Sequence, residues 1–326
     1  MSKLTRLIEN WFNTHFCVSK EKRTKVANLM KKLGFEPKLI VLMDGGICSQ
    51  INQFAIGEFY KDKGYKVEYD LEFFEKDGKD MNGIFDRNYQ LDKLIYLKDN
   101  QVPKASLNTL KIYKKYFYNA SNLEPDHILD NVHDDYCPPI YLNNYYSFKS
   151  EVFAETIKKY IHLKKIDEIL DDENQIIAKK IINSDSVGVH VRLGDLKQSV
   201  GAYSTVSLDY YIRSINLPKL QGKELFFFSE EPDWIEKNIL PKLNKNIKTN
   251  LIKNPSNVGY KDLLLLSLCK HQICSQGSFG PYAYLFNQNK NKICVLPDFP
   301  IIKNFEKAVL YDIAFKNYCI DRKSVV

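Results

Sequence analysis

The second half of the chain alternates short apolar runs with amphipathic segments, and this alternation limits the possible folds more than any other feature. Strands are predicted at 187–191, 225–229, 249–253, 272–275 and 292–296, and helices near 207–216, 232–239, 260–270 and 279–287. Strands separated by helices are joined by right-handed crossovers into a parallel sheet with both faces covered. We therefore predict an α/β domain of Rossmann-like type, in which ligands bind beyond the carboxyl ends of the strands.

The N-terminal half contains a smaller unit of the same kind. Residues 39–43 form a continuous apolar run, which is typical of a buried parallel strand. A turn at 44–48, a helix from about 49 to 61 and a strand at 65–69 complete a βαβ unit. The pattern over 89–98 and 107–118 is compatible with either helix or strand.

The strand predicted at 187–191 carries polar residues at its end. Three valines alternate over 187–192 with small or polar residues, so His190 and Arg192 share one face. Gly194 permits a sharp turn before Asp195. A guanidinium beside such a turn is suited to binding a phosphate. The alternative is an ordinary strand end with a surface ion pair between Arg192 and Asp195.

Composition indicates a soluble globular protein: 44% of the 326 residues are hydrophobic and 27% are charged. The sequence has no apolar run of about 18 residues, so no membrane-spanning helix is expected, and the amino terminus lacks the apolar centre of a signal peptide. Seven cysteines, an odd number without a C-x-x-C pair, argue against a disulfide framework or a structural zinc site. We expect reduced thiols in a cytoplasmic protein.

Residues 1–38 form a basic extension with a net charge of +6, most of the +7 of the whole chain. Apolar residues at helical spacing over 4–12 and 26–33 predict two short amphipathic helices. These helices either pack on the body of the protein or rest on the anionic cytoplasmic face of the inner membrane. No nucleic-acid-binding motif accompanies the charge, so nucleic acid is not an expected partner.

A cluster of acidic and histidine residues lies in the middle of the chain. Its members are Asp126, His127, Asp130, His133, Asp134 and Asp135. Their spacing matches no standard metal site, and surface loops are often rich in these residues. We therefore predict no bound metal ion.

Three stretches together resemble the bacterial α-1,2-fucosyltransferases, glycosyltransferase family 11. Residues 45–55 (GGICSQINQFA) are similar to G-G-L-G-N-Q-M-F-Q-Y-A, and 189–195 (VHVRLGD) to V-H-I-R-R-G-D. Residues 262–280 (DLLLLSLCKHQICSQGSFG) are similar to D-L-x-L-M-S-L-C-K-H-x-I-I-A-N-S-S-F-S. The order and spacing of the three make the resemblance specific, and it extends over roughly 40–298.

The resemblance implies an α/β fold of GT-B type, with two Rossmann-like domains whose parallel sheets face a cleft. It divides the chain into the extension 1–38, an acceptor-side domain 39–165, a GDP-sugar-binding domain 166–302 and a helical tail 303–326. It also implies a GDP-fucose donor, no metal or other cofactor, and inversion at the anomeric carbon of the sugar.

The resemblance also implies roles for individual residues. Arg192 would hold the diphosphate, and Asp262 would face guanine, whose two neighbouring N–H groups a carboxylate can accept. The other members of the implied substrate site are Gly45, Gly46, Ser49 and Gln50 beside the sugar, and Ser278 and Phe279 in the nucleotide pocket. Both Asp262 and Ser278 have an alternative, purely structural role. Asp262 would complement a helix dipole, and Ser278 would serve as an N-cap.

Departures from the family pattern affect the sugar site. Leu193 replaces a second arginine, Cys48 and Ser49 replace Gly-Asn, and residues 280–282 (GPY) replace Ser-Trp-Trp. The donor sugar and the acceptor are therefore open, and the catalytic base is not identified, with His190 and Asp195 as candidates.

The predicted function is transfer of L-fucose from GDP-fucose to a glycan hydroxyl, the 2-OH of galactose, in the synthesis of a surface polysaccharide on a lipid carrier. The alternatives are transfer of another GDP-deoxysugar such as colitose, and a non-catalytic protein that binds GDP or a glycan. Binding of nucleic acid by the basic extension is a further alternative.

Overall fold

A computed structural model describes residues 20–76, 78–80, 83–117, 128–129, 138–143, 147–148, 150–194, 205–297 and 319–321. Within these ranges the chain forms two α/β units and a two-stranded pair, and all pairings between the strands named below are parallel.

The first unit contains a three-stranded sheet flanked by helices. Its elements in chain order are α1 (Lys20–Lys32), β1 (Lys38–Leu42), α2 (Ile47–Asp62), β2 (Lys66–Asp70), α3 (Glu72–Lys76), α4 (Leu91–Leu94), α5 (Leu107–Tyr116), β3 (Ile128–Leu129), β4 (Ile140–Leu142), β5 (Ser147–Phe148) and α6 (Ser150–Tyr160). The sheet order is β2-β1-β4, and β3 pairs with β5 separately. The βαβ unit predicted near the start of the chain is confirmed.

The second unit contains a six-stranded sheet. Its elements in chain order are α7 (Ile166–Ile169), α8 (Asp172–Asn183), β6 (Ser186–His190), α9 (Leu208–Ile215), β7 (Glu224–Phe228), α10 (Pro232–Asn238), β8 (Thr249–Ile252), α11 (Gly259–Leu268), β9 (His271–Ile273), α12 (Phe279–Phe286), β10 (Cys294–Pro297) and β11 (Cys319–Asp321). The described residues also form 3₁₀ turns at Leu240–Lys242 and Ser256–Val258 in this unit and at Lys98–Asn100 in the first unit. Every strand and helix predicted between 187 and 296 is confirmed, within a few residues at each end.

The six strands have the order β11-β10-β9-β6-β7-β8. The chain runs outward from β6 to β8, then returns and runs outward from β9 to β11, so the direction reverses between β6 and β9. In doubly wound sheets the ligand crevice forms at the carboxyl ends of the strands beside such a reversal. The predicted GT-B type architecture, two Rossmann-like units with parallel sheets, is confirmed.

Strand β6 has the two faces that its sequence predicts. Val187, Val189 and Val191 are buried in the core on one side of the sheet. On the other side, α11 packs so closely that a Cβ at Gly188 would lie 2.4 Å from Leu266 Cδ1. A glycine at this position therefore sets the distance between β6 and α11.

A single hydrophobic cluster connects the two units. It joins side chains of β1 and α2 with Phe226 of β7 and with the buried Leu263–Leu266 run of α11. Five consecutive residues of α11, Leu263 to Ser267, are buried, so the middle of this helix is covered on all sides. Because this helix contacts both α4 of the first unit and α8 of the second, it fixes the region between the two sheets.

The ambiguous segments of the first unit have different outcomes. Residues 89–98 contain only the four-residue helix α4, whereas most of 107–118 forms α5, whose N-cap Ser106 accepts a hydrogen bond from Thr109 N. The helical prediction for the tail 303–326 is wrong at Cys319–Asp321, which pair as a strand with Val295–Pro297. The rest of the tail lies outside the described residues.

Of the two helices predicted in the basic extension, the first lies outside the described residues. The second is α1, which packs on the body of the protein through buried Val26 and partly buried Met30. Leu33 and Phe35, which follow the end of this helix, remain exposed.

No helix within the described ranges is long and apolar enough to cross a membrane. The cysteines whose side chains are described, Cys48, Cys269, Cys274 and Cys294, are buried and carry no disulfide bond.

Candidate functional site

A cleft of about 550 Å³ opens at the carboxyl ends of β1, β6, β7 and β8. Residues from both units line it. The predicted site residues among them are Gly45, Gly46, Ser49, His190, Arg192, Asp262, Ser278 and Phe279. Gln50 lies behind this wall, and Asp195 lies outside the described residues. The structure thus brings together residues up to 234 positions apart in sequence.

Arg192 follows the end of β6 by two residues and lines the cleft. Its guanidinium packs against Gly277, which follows β9. The Arg192 backbone hydrogen-bonds with the buried Tyr211 hydroxyl, which itself donates to Ser275 Oγ at 3.1 Å. The cation therefore sits beside the chain reversal between β6 and β9, with its backbone held from the adjacent helix α9.

His190 is 8% exposed and stacks on Phe279, with 4.9 Å between ring centroids and 29° between ring planes. Burial, aided by the nearby Arg192 charge, lowers the pKa of His190 to about 3. The imidazole is therefore neutral at physiological pH and is a weak proton acceptor. Its contact instead fixes the orientation of the Phe279 ring in the cleft.

Ser278 does not cap α12 through its side chain. Its hydroxyl instead forms a hydrogen bond with Cys48, the second residue of α2. Burial raises the pKa of Cys48 to about 12, so this sulfur remains a protonated thiol despite the neighbouring Arg192. Ser278 and Cys48 thus connect the two units at the floor of the cleft.

The glycine-rich turn after β1 is held by Gln50. Gln50 Nε2 donates to Gly45 O at 3.2 Å and to Asn88 O at 2.9 Å, and Gln50 Oε1 accepts from Gln90 N at 2.8 Å. Gly45 has φ of +67°, a conformation that side-chain-bearing residues rarely adopt. The buried Gln50 therefore positions the turn and does not itself line the cleft.

Asp262 lies in the first turn of α11. Asn254 Nδ2, on the loop after β8, donates to Asp262 Oδ1 at 2.7 Å. Burial is the main reason that the pKa of Asp262 rises to about 7, and the nearby Glu230 charge acts in the same direction. This carboxyl group therefore changes protonation near neutral pH while facing the cleft.

The cleft residues that were not predicted from the sequence include Asp44, Arg87, Glu230 and Asn254. Arg87 Nη1 and Glu230 Oε1 are 2.6 Å apart and form an ion pair between the two units. Asp44, Glu230 and Asn254 each come two residues after the end of a parallel strand. The rule that ligands bind at carboxyl ends of strands could have identified these three.

Among the described residues, no group of three or more His, Cys, Asp or Glu side chains is arranged to hold a metal ion. The six residues of the acidic and histidine cluster over 126–135 lie outside the described ranges.

The family model described as glycosyl transferase family 11 matches residues 91–312. This range contains two of the three similar stretches, 189–195 and 262–280, whereas 45–55 precedes it. The O-antigen biosynthesis glycosyltransferase WbnK of Escherichia coli is 24% identical over 215 residues, which are 62% of this chain. The match spans 63% of the length of that curated relative.

Two solved fucosyltransferase structures are similar to the chain at 12% sequence identity. One is the NodZ alpha-1,6-fucosyltransferase soaked with GDP-fucose, with a TM-score of 0.46 over 77% of this chain and 92% of that chain. The other is POFUT1 in complex with GDP-fucose, with a TM-score of 0.42 over 82% of this chain and 98% of that chain.

Proposed function

The chain belongs to glycosyl transferase family 11, and from this premise we propose that it transfers L-fucose from GDP-fucose to a glycan hydroxyl with inversion and without a metal ion. The observation that carries the proposal is Arg192, a guanidinium at the tip of a central strand in a cleft formed by both units. Donor and acceptor would meet in this cleft, since each unit contributes one wall.

Arg192 would bind the diphosphate and neutralise the charge that develops as GDP leaves. A planar guanidinium presents two parallel N–H donors to phosphate oxygens, and a preorganised cation contributes most at the point where charge appears. Tyr211 supports this role because it holds the Arg192 backbone. Leu193 stands where the family pattern has a second arginine, so binding of the diphosphate in this part of the cleft would depend on Arg192.

Asp262 would select guanine. Its ionised carboxylate can accept from N1–H and from the exocyclic amino group of guanine, a donor pair that adenine lacks. Asn254 orients the carboxylate by donating to Oδ1. Ser278 and Phe279 would contribute to the nucleotide pocket, the ring of Phe279 being fixed by its stack on His190.

The turn at Gly45 and Gly46, together with Ser49, would approach the transferred sugar and the acceptor. Gln50 would keep the turn in place through its hydrogen bonds to Gly45 O and Asn88 O. We propose the 2-OH of a galactose as the acceptor group. The curated relative, an O-antigen biosynthesis glycosyltransferase, supports synthesis of a surface polysaccharide, with the acceptor attached to a lipid carrier.

Peripheral contact with an anionic inner membrane is part of the proposal. Helix α1 exposes Leu29 beside Lys31 and Lys32, and the exposed Leu33 and Phe35 follow the helix, Phe35 at 62% exposure. Apolar and basic side chains in one short segment suit the interface of an anionic bilayer. Flotation with anionic and with zwitterionic vesicles tests this: replacing Leu29, Leu33 and Phe35 by Ser should abolish preferential binding to the anionic vesicles.

Incubation with a panel of GDP-sugars and a β-galactoside such as lactose tests the main proposal. We expect release of GDP from GDP-fucose and a fucosylated product whose linkage and anomeric configuration NMR can define. Turnover of GDP-colitose alone would favour the alternative donor. Calorimetric binding of GDP without product from any donor would favour a non-catalytic protein.

A further inference from the structure

Asp44, a carboxylate to which the sequence motifs give no role, lines the cleft from the first unit. It follows β1 by two residues and precedes the Gly45–Gly46 turn. Gln53 holds it twice: Gln53 Nε2 donates to Asp44 Oδ1 at 2.6 Å, and Gln53 Oε1 accepts from Asp44 N at 3.0 Å. Because Gln53 is buried in α2, the orientation of the Asp44 carboxylate is fixed.

Within the described part of the chain, the second carboxylate oxygen of Asp44 is open to a ligand. Oδ2 has no hydrogen-bond partner among the described residues, and it is not one of their buried unpartnered atoms. Asp44 itself lines the cleft, so a ligand bound there can contact its carboxylate. Partial burial raises the pKa of Asp44, which makes the carboxylate a better proton acceptor than an exposed one.

The other described titratable acids and the histidine of the cleft are less suited to accept a proton from a sugar hydroxyl. Glu230 forms an ion pair with Arg87. Asp262 accepts a hydrogen bond from Asn254 and is the residue that the proposed function assigns to guanine. Asp80 Oδ1 accepts from Ile84 N, and its other oxygen is buried from solvent. His190 is buried and neutral.

An inverting displacement needs the base and the leaving-group cation on opposite sides of the anomeric carbon. Asp44 follows β1 of the first unit and Arg192 follows β6 of the second, and both line the cleft, so a sugar bound between them would have the base on one side of C1 and the cation on the other. We infer that Asp44 is the catalytic base of the transfer reaction, an assignment that rests on the proposed function.

In this step the acceptor hydroxyl oxygen forms a bond to C1 of fucose while its proton moves to Asp44 Oδ2. The bond between C1 and the β-phosphate oxygen breaks, and its electron pair leaves with GDP beside Arg192. Gln53 is a positioning residue, because it acts on the reaction only by holding Asp44.

The Asp44→Asn variant tests the role, because the amide keeps the shape and can still accept from Gln53. With GDP-fucose and lactose we expect transfer to fall by about 10²–10⁴-fold, with GDP affinity within about twofold of wild type. Azide has no proton to lose, so it should attack C1 without a base. Azide should therefore restore GDP release in Asp44→Asn and yield fucosyl azide.

Asp185→Asn is the matched control, since Asp185 precedes β6 at the opposite edge of the sheet and pairs with Lys223. It should transfer at the wild-type rate. Asp44→Glu retains a carboxylate and should keep more activity than Asp44→Asn, and circular dichroism checks that each variant folds.

Two results would overturn the assignment. One is transfer by Asp44→Asn within about threefold of wild type, and the other is normal GDP binding without azide-dependent GDP release. If the wild-type protein turns over no GDP-sugar, the proposed function itself fails, and the role of Asp44 falls with it.

Discussion

The guanidinium of Arg192 and the backbone of Gly277 are in such close contact that a Cβ at Gly277 would lie 2.3 Å from Arg192 Nη1. Gly277 also has φ of +96°, a region that favours glycine. The two residues follow β6 and β9, the strands on either side of the chain reversal. The glycine thus provides the space that keeps the cation at the edge of the cleft.

Replacing Gly277 by Ala should therefore displace the guanidinium. We expect GDP affinity to fall by about 10–100-fold, the equivalent of about 1.5–3 kcal/mol for a lost hydrogen bond to a charged group. Isothermal titration calorimetry measures this change. Gly222→Ala is the control, because Gly222 has φ of +76° but no heavy atom within 4 Å of the added Cβ. Equal GDP affinity in the two variants would contradict the role of Gly277.

Asp262→Asn should weaken GDP binding and reduce discrimination against ADP. The amide offers one acceptor in place of two, so we expect a loss of about 10–100-fold for GDP and little change for ADP. The same variant should raise Tm at pH 8 by roughly 2 °C, because it removes a charge that burial disfavours. Unchanged GDP affinity would mean that Asp262 only complements the dipole of α11.

Binding of the donor should depend on pH through Asp262. Its pKa of about 7 is raised above the ordinary value, so the carboxylate proposed to accept from guanine predominates only above pH 7. The Kd for GDP-fucose should therefore rise as pH falls, by about tenfold per unit well below the pKa. GDP-fucose is the better probe, because its diphosphate does not titrate near neutrality. The dependence should vanish in Asp262→Asn, and its persistence there would assign it to another group.

The ion pair between Arg87 and Glu230 should couple the two units. A double-mutant cycle with Arg87→Met and Glu230→Gln should give a coupling free energy of unfolding of about 1–3 kcal/mol, since both side chains are largely removed from solvent. The exposed pair Lys253–Glu236 is the control, and about 0.5 kcal/mol or less is expected for it. Similar values for both pairs would contradict a specific link across the cleft.

The second unit could be predicted almost completely from the sequence, for a physical reason. Strands such as β7 and β10 contain continuous apolar runs because both faces of the sheet are covered, and its helices carry N-terminal signals such as Ser207, whose side chain accepts from Tyr210 N. The first unit was harder to predict. Leu91–Leu94 is too short to establish a helical period, and its position is set by packing against α11.

Within the candidate site, the positions of residues at the end of a strand could be predicted from the sequence. His190 and Arg192 share a face because strands have a period of two, and both line the cleft. The environment of His190 could not be predicted, because its stack on Phe279 joins residues 89 positions apart. The orientation of the Asp44 carboxylate likewise could not be predicted, because it depends on hydrogen bonds with Gln53 that only the fold reveals.

The central claim is that the Arg192 guanidinium binds the diphosphate and neutralises its charge as GDP leaves. Turnover and GDP affinity of the Arg192→Lys variant test it most directly, because lysine keeps the positive charge but loses the planar pair of donors. With GDP-fucose as donor, we predict that kcat falls by about 10²–10³-fold while circular dichroism and Tm stay near those of wild type. GDP affinity should fall by about tenfold as one of two parallel hydrogen bonds is lost. Full turnover together with unchanged GDP affinity in this variant would contradict the account.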